Sequence, residues 1–175
     1  MKLRELVALA SKKLRSSGIS SYTRDARALC AYAIEIQPDQ VILQINTYVT
    51  NSQKEVLLAL INARCEGKPV ARILGSRSFW GRRFEINQHV LDPRGDTETL
   101  IELALKKQAN KILDLGTGSG NLVVTLLCEW PEAEAVATDI SLYALKVAAR
   151  NAKSHKVFER LEFTESDWFS NISSK

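Results

Sequence analysis

Along residues 1–70 the apolar positions recur at three- and four-residue steps. Leu3, Leu6, Val7, Ala10 and Leu14 fall on one helical face, and Gly18 follows as a stop. A second periodic segment, roughly Thr23 to Ile36, carries Ala26, Leu29, Cys30 and Ala33 on one face and is broken by Gln37-Pro38-Asp39. Asp39 is expected to cap a short apolar turn from Val41 to Ile45. Ser52 and Glu55 have capping-box spacing ahead of Val56, Leu57, Leu60 and Ile61, with Gly67-Lys68-Pro69 ending that helix. Short amphipathic helices with brief loops predict a small bundle, and no chemistry is visible in it.

The texture then changes twice. Phe79, Trp80, Phe84, Ile86, Val90 and Leu91 are spread among arginines and turn residues around Gly81, which predicts a hairpin or linker. Asp92 to Asp96 reads as a loop, with Asp96 or Thr97 capping a helix that runs to about Lys107. From Lys111 onward the pattern is strand, helix, strand, helix, strand: Lys111–Leu115, Leu122–Glu129, Ala135–Asp139, Leu142–Ala152 and Leu161–Glu165. Strands alternating with helices pair in parallel through right-handed crossovers, so an α/β fold with an open doubly wound sheet is expected.

Composition narrows the picture without redirecting it. Hydrophobic residues make up 45% and charged residues 25% of the chain, the proportions of a globular domain. No apolar run approaches the roughly 20 residues of a membrane span. The opening MKLRELVALASKKLR carries charge throughout, so a cytoplasmic protein is expected. Cys30, Cys65 and Cys128 are far apart without metal-ligand spacing and read as small packed thiols. His89 and His155 are isolated, and no metal site is expected. The net charge of +4 is divided as +7 over residues 1–95 (15 Lys+Arg, 8 Asp+Glu) and −3 over residues 96–175 (9 against 12). No basic run is interleaved with aromatics, so neither direct nucleic-acid binding nor a membrane partner is predicted.

The candidate chemistry lies at the strand ends. In a doubly wound sheet ligands bind beyond the carboxyl ends of the strands, usually at the first strand-to-helix turn. That turn here is Gly116-Thr117-Gly118-Ser119-Gly120, where glycines permit positive φ and close backbone approach. The helix that follows would present its first amides to a polar ligand. The spacing G-x-G-x-G differs from the G-x-G-x-x-G of dinucleotide-binding turns. Asp139 ends the second strand, where a carboxylate can accept both ribose hydroxyls of an adenosine and disfavours a 2′-phosphate. Trp168 follows the third strand, where its ring could cover adenine, a stacking worth roughly 1–3 kcal/mol. Taken singly, these are a turn glycine, a helix-capping acid and a rim aromatic. At the ends of successive strands they predict an adenosine pocket.

Longer stretches add a family. Arg24-Asp25-Ala26-Arg27-Ala28-Leu29-Cys30, Gly67 to Gly75 (GKPVARILG), Phe79-Trp80-Gly81-Arg82-Arg83-Phe84, Leu91 to Glu98 (LDPRGDTE), the glycine turn, Asp139-Ile140-Ser141 and Asp167-Trp168-Phe169 together resemble the release-factor glutamine methyltransferases. The resemblance implies a cytoplasmic S-adenosyl-L-methionine-dependent enzyme of translation termination. Its substrate would be the side-chain amide nitrogen of the glutamine in the Gly-Gly-Gln loop of peptide chain release factors. It implies a helical substrate-binding domain over residues 1–72, a hairpin linker over 73–95, and the first three strands of a Rossmann-like methyltransferase sheet over 96–175. By matching positions, Gly116, Thr117, Gly118, Ser119 and Gly120 would cradle the methionine part of the cofactor, Asp139 would take the ribose, and Trp168 would lie by the adenine.

Two departures from the family pattern stand out. Pro93-Arg94-Gly95 replaces the usual Pro-Arg-Pro, which loosens that loop. The family's Asn-Pro-Pro-Tyr motif is absent, and no Asn-Pro dipeptide occurs in the chain, so no catalytic residue is assigned. The chain is accordingly expected to be incomplete for catalysis, with Ile112 to Leu115 left as an apolar sheet edge. A non-catalytic module that binds release factor, another S-adenosylmethionine-binding fragment, a nicotinamide-dependent oxidoreductase and a DNA methyltransferase are the alternatives.

Overall fold

A computed structural model describes residues 1–172, which divide into two compact units, Met1–Leu74 and the part from Gly75 onward.

The first unit is helical. Its elements are α1 (Leu3–Ser16), α2 (Tyr22–Ala33), α3 (Gln40–Leu43), α4 (Asn51–Cys65) and α5 (Val70–Leu74). Leu3, Leu6, Ala10 and Leu14 of α1 pack with Ala26, Leu29 and Cys30 of α2 and with Leu57 and Ile61 of α4 in one core. Burial pushes the Cys30 thiol up to about 12, so it packs as an inert small apolar group. One buried polar cluster braces the bundle. The Asp25 carboxylate accepts from Arg64 Nε at 2.8 Å and from Ser21 Oγ at 2.8 Å, tying α2 to α4.

Three of the predicted side-chain caps are not formed as expected. The α4 box is built by Thr50 and Gln53, not Ser52 and Glu55. Gln53 N donates to Thr50 Oγ1 (3.2 Å) and Thr50 N donates to Gln53 Oε1 (3.0 Å). Thr50, at ψ 162°, holds the extended geometry an N-cap needs, whereas Ser52 is already inside the helix. Asp39 has helical angles and makes no side-chain cap. The helix after the Asp92 loop is capped by Gly95, with no side-chain cap from Asp96 or Thr97.

The second unit starts with a hairpin, β1 (Ser76–Phe79) and β2 (Arg82–Glu85), antiparallel with Phe79 opposite Arg82. Trp80 (φ 49°) and Gly81 (φ 68°) both take positive φ, the two-residue turn that matches strand twist. Helix α6 (Asp96–Ala104) follows, then β3 (Lys111–Leu115), α7 (Asn121–Glu129), β4 (Glu134–Asp139), α8 (Leu142–Ser154) and β5 (Leu161–Glu165). The three strands are parallel in the order β3-β4-β5. Phe79 and Phe84 of the hairpin share a core with Ile101, Val123, Leu127, Ala135 and Ala137, so the hairpin packs with the sheet's helical layer.

Leu113 on the outer strand β3 is 45% exposed, as expected of an apolar edge, among the described residues. Leu113, Val136, Glu162 and Thr164 line an open concavity of about 650 Å³ over the middle of the sheet. The glycine turn, Asp139 and Trp168 are not part of its lining.

Gly95 has φ −58°, ψ −37°, close to the φ of about −65° that proline imposes. Gly95→Pro is therefore expected to raise stability by about 0.5–1 kcal/mol through a less flexible unfolded chain. Urea midpoints of the two proteins check this.

Candidate cofactor-binding site

Strand β3 delivers Asp114 and Leu115 to the sheet's carboxyl end, and the chain reverses there into α7. The turn is tied to β4 by Gly116 N and Thr117 N, which both donate to Thr138 O at 2.9 and 2.8 Å. Gly120 N then donates to Thr117 O at 2.8 Å. All three turn glycines have positive φ: 74° at Gly116, 56° at Gly118 and 75° at Gly120. They differ in what lies beside them. A Cβ on Gly116 or Gly118 would meet nothing within 4 Å, whereas on Gly120 it would stand 3.0 Å from Ala148 Cβ. The first two leave open space on the ligand side; the third lets α7 and α8 approach.

Asp139, at the end of β4, reaches this turn. Its Oδ2 accepts from Gly118 N at 2.9 Å and its Oδ1 from Ser141 N at 3.0 Å. An ionised carboxylate offers about four lone-pair positions, so both oxygens retain acceptor capacity. Ser141, not Asp139, caps α8, its Oγ accepting from Ala144 N at 3.3 Å. Thr117 and Ser119 are buried; Ser119 Oγ donates to Asn121 Oδ1 at 2.9 Å.

The end of β5 joins the group through Ser166 N, which donates to Asp139 O at 3.1 Å. Trp168 follows with φ 49° and 71% exposure, its carbonyl accepting from Ser166 Oγ at 2.9 Å. The described contacts bring Gly116 to Gly120 and Asp139 into one hydrogen-bonded cluster and set the Ser166–Trp168 turn beside it. They record no contact of the Trp168 ring with the glycines.

Asp114 was not singled out from the sequence as a site residue. Its carboxylate accepts from Thr117 Oγ1 at 2.7 Å. Burial raises its pKa above the ordinary 3.8; the Thr117 bond acts against this, and the negative Asp139 adds to it. The available signal was its place, an acid two residues before the first glycine at a strand's carboxyl end. With the folded-state pKa raised, the contribution of Asp114 to stability is full below about pH 3.8 and lost as pH rises through the folded value. Asp114→Asn is therefore expected to raise the urea midpoint at pH 7, with the gain shrinking toward pH 4. An unchanged difference between the two pH values would contradict that origin.

The geometry combines an open left-handed turn with two partly buried acids, a site suited to a cationic, hydroxyl-bearing ligand. Comparison with known proteins narrows the lineage. Residues 5–75 match the PrmC N-terminal domain family and residues 90–175 the methyltransferase small domain family. The release factor glutamine methyltransferase of Cereibacter sphaeroides is 42% identical over 175 residues, covering 100% of this chain and 63% of that protein.

Over its whole length the chain is similar to the release factor glutamine methyltransferases.

The Agrobacterium fabrum member of this family is 36% identical, over 98% of this chain and 62% of its own length. A bifunctional methyltransferase of Rickettsia felis is 33% identical, over 99% and 39%. The chain thus spans less than two thirds of the length of these relatives. Among solved structures, an RNA methyltransferase from Salinibacter ruber in complex with S-adenosyl-L-homocysteine is 30% identical over 46% of this chain and 52% of that one, with a TM-score of 0.41. Among the described residues no helix is long and apolar enough to cross a membrane, and no group of three or more His, Cys, Asp or Glu side chains is placed to hold a metal ion.

Proposed function

We propose that the glycine turn binds S-adenosyl-L-methionine and that the chain is part of a cytoplasmic enzyme of translation termination. That enzyme methylates the side-chain amide nitrogen of the Gly-Gly-Gln glutamine of peptide chain release factors. The observation that carries the cofactor reading is Asp139. Its carboxylate is fastened to Gly118 N while keeping acceptor capacity at the mouth of the turn. The residues present fit the cofactor. Gly116 and Gly118 have open space where a side chain would stand, and the partly buried Asp114 is a negative group that a cationic ligand would neutralise.

In this reading Asp139 accepts the two ribose hydroxyls, Asp114 offsets the ligand's positive charge, and Gly116 to Gly120 provide backbone for the methionine part. Trp168, exposed after β5, covers the adenine. The cofactor supplies a methyl group on a sulfonium, a good leaving group. The acceptor amide is a poor nucleophile because its lone pair is delocalised, so the protein's contribution is alignment and electrostatics. Asn-Pro-Pro-Tyr, which positions the amide in the family, is not present in residues 1–175, and no catalytic residue is proposed from this chain. Residues 1–72 serve as the release-factor-holding domain and residues 73–95 as the linker to the methyltransferase part.

Calorimetric titration of S-adenosyl-L-methionine into the chain tests the reading. Saturable one-site binding supports it. A flat titration of folded protein sinks the cofactor assignment and leaves release-factor binding by residues 1–72 as the reading to test, by pull-down with purified release factor.

A further inference from the structure

The side chain of Asn151 is 2% exposed and makes three hydrogen bonds to main chain from two distant segments. Its Nδ2 donates to Ser119 O in the glycine turn at 2.8 Å and to Glu85 O in β2 at 3.0 Å, and its Oδ1 accepts from Glu85 N at 2.7 Å. Both amide protons and the carbonyl are thus used. Around this inner link, Arg150 makes a two-pronged ion pair with Glu85, and His155 Nε2 meets Arg83 O at 2.9 Å. These outer contacts fasten the hairpin to α8 without touching the turn. Asn151 is hydrogen-bonded to both.

We infer that Asn151 is a positioning residue for the cofactor turn: its amide fixes the Ser119 carbonyl and, through the same group, couples the turn to the hairpin. The Ser119 carbonyl lies between Gly118 and Gly120, at φ 56° and 75°, where flanking glycines leave the peptide planes free to rotate. A donor from outside the turn holds that plane in place, so the neighbouring Gly118 N keeps pointing at Asp139 Oδ2. A ligand that needs the turn in this arrangement is then bound without first ordering it. The same connection works in reverse. Occupation of the turn holds Ser119, hence Asn151, hence the Glu85 backbone at the hairpin's last strand position, because coupling between two sites is reciprocal.

The affinity arm of the test rests on the S-adenosyl-L-methionine reading, while the exchange arm does not. Asn151→Ala removes all three bonds. Asn151→Asp keeps the shape and the acceptor for Glu85 N but loses both donors. Arg150→Ala is the control that weakens only the outer fastening.

Amide hydrogen exchange without ligand is expected to quicken at least tenfold at Gly118 and Gly120 in Asn151→Asp and Asn151→Ala. The increase is measured relative to Ala137, a buried β4 residue that reports global opening. Arg150→Ala leaves those two amides within about twofold. For S-adenosyl-L-homocysteine, used as the probe, the dissociation constant is expected to rise about tenfold or more in both Asn151 variants and to stay within twofold in Arg150→Ala. In the unaltered chain the same ligand is expected to slow exchange at the Glu85 amide.

A purely structural role for Asn151 predicts a different pattern: lower melting temperature, parallel quickening at Ala137, and unchanged affinity of the folded protein. That pattern overturns the proposal. So does an unchanged Glu85 amide on ligand saturation, a measurement that needs no variant to fold. If the unaltered chain binds no ligand while the turn amides quicken as expected, the clamp stands and the cofactor reading is what fails.

Discussion

Asp139→Ala is expected to weaken S-adenosyl-L-methionine binding roughly a hundredfold. In the proposed pocket the carboxylate accepts two ribose hydroxyls, and charge-assisted hydrogen bonds contribute about 1.5 kcal/mol or more each. Losing two therefore corresponds to about two decades in affinity. The variant also deprives Gly118 N and Ser141 N of their acceptor, at roughly 1 kcal/mol each. Asp139→Asn separates the two effects: it keeps an acceptor oxygen but gives up charge and one lone-pair set, and is expected to cost about tenfold. Calorimetry on the three proteins checks the series. Equal affinities across it would remove Asp139 from the ribose site.

Gly120→Ala is expected to lower stability by about 3 kcal/mol, the largest loss for a one-carbon addition in the turn. A left-handed conformation costs an L-residue roughly 1–2 kcal/mol. The added methyl would stand 3.0 Å from Ala148 Cβ and 3.2 Å from Ala148 Cα, so the α8 backbone must retreat, an overpacking cost of about 1–3 kcal/mol. Gly118→Ala carries only the conformational part, because nothing lies within 4 Å of its added Cβ; about 1 kcal/mol is expected. The two variants thus divide the turn into a side that faces structure and a side that faces ligand. Gly120→Ala shifts the urea midpoint, whereas Gly118→Ala mainly changes cofactor affinity. Equal midpoints would show that close helix approach does not select glycine at position 120.

These two expectations draw on different levels of legibility. The parallel strands and their helices were readable from the chain because a buried α/β layer imposes strong period-2 and period-3.6 patterns, and Lys111–Leu115 and Leu161–Glu165 match the expected bounds. Helix caps were less readable. Thr50 and Ser52 both precede a residue able to complete a capping box, and only the ψ of 162° at Thr50 decides between them. Short elements such as α5 (Val70–Leu74) were missed because one helical turn after a proline leaves no periodicity to detect.

By itself the sequence determined the order of elements, the glycine turn, the acid at the end of the second sheet strand and the resemblance to methyltransferases. All of these depend on residue type at fixed local spacing. Tertiary structure alone decided which of the three glycines faces solvent and which faces α8, that Asp114 is partly buried and feels the charge of Asp139, and that Asn151 links Glu85 to Ser119. Such facts depend on groups 32 and 66 residues apart in the chain being brought to hydrogen-bond distance. Spacing along the chain carries no trace of that, because the energy that enforces it is burial and donor–acceptor pairing in three dimensions.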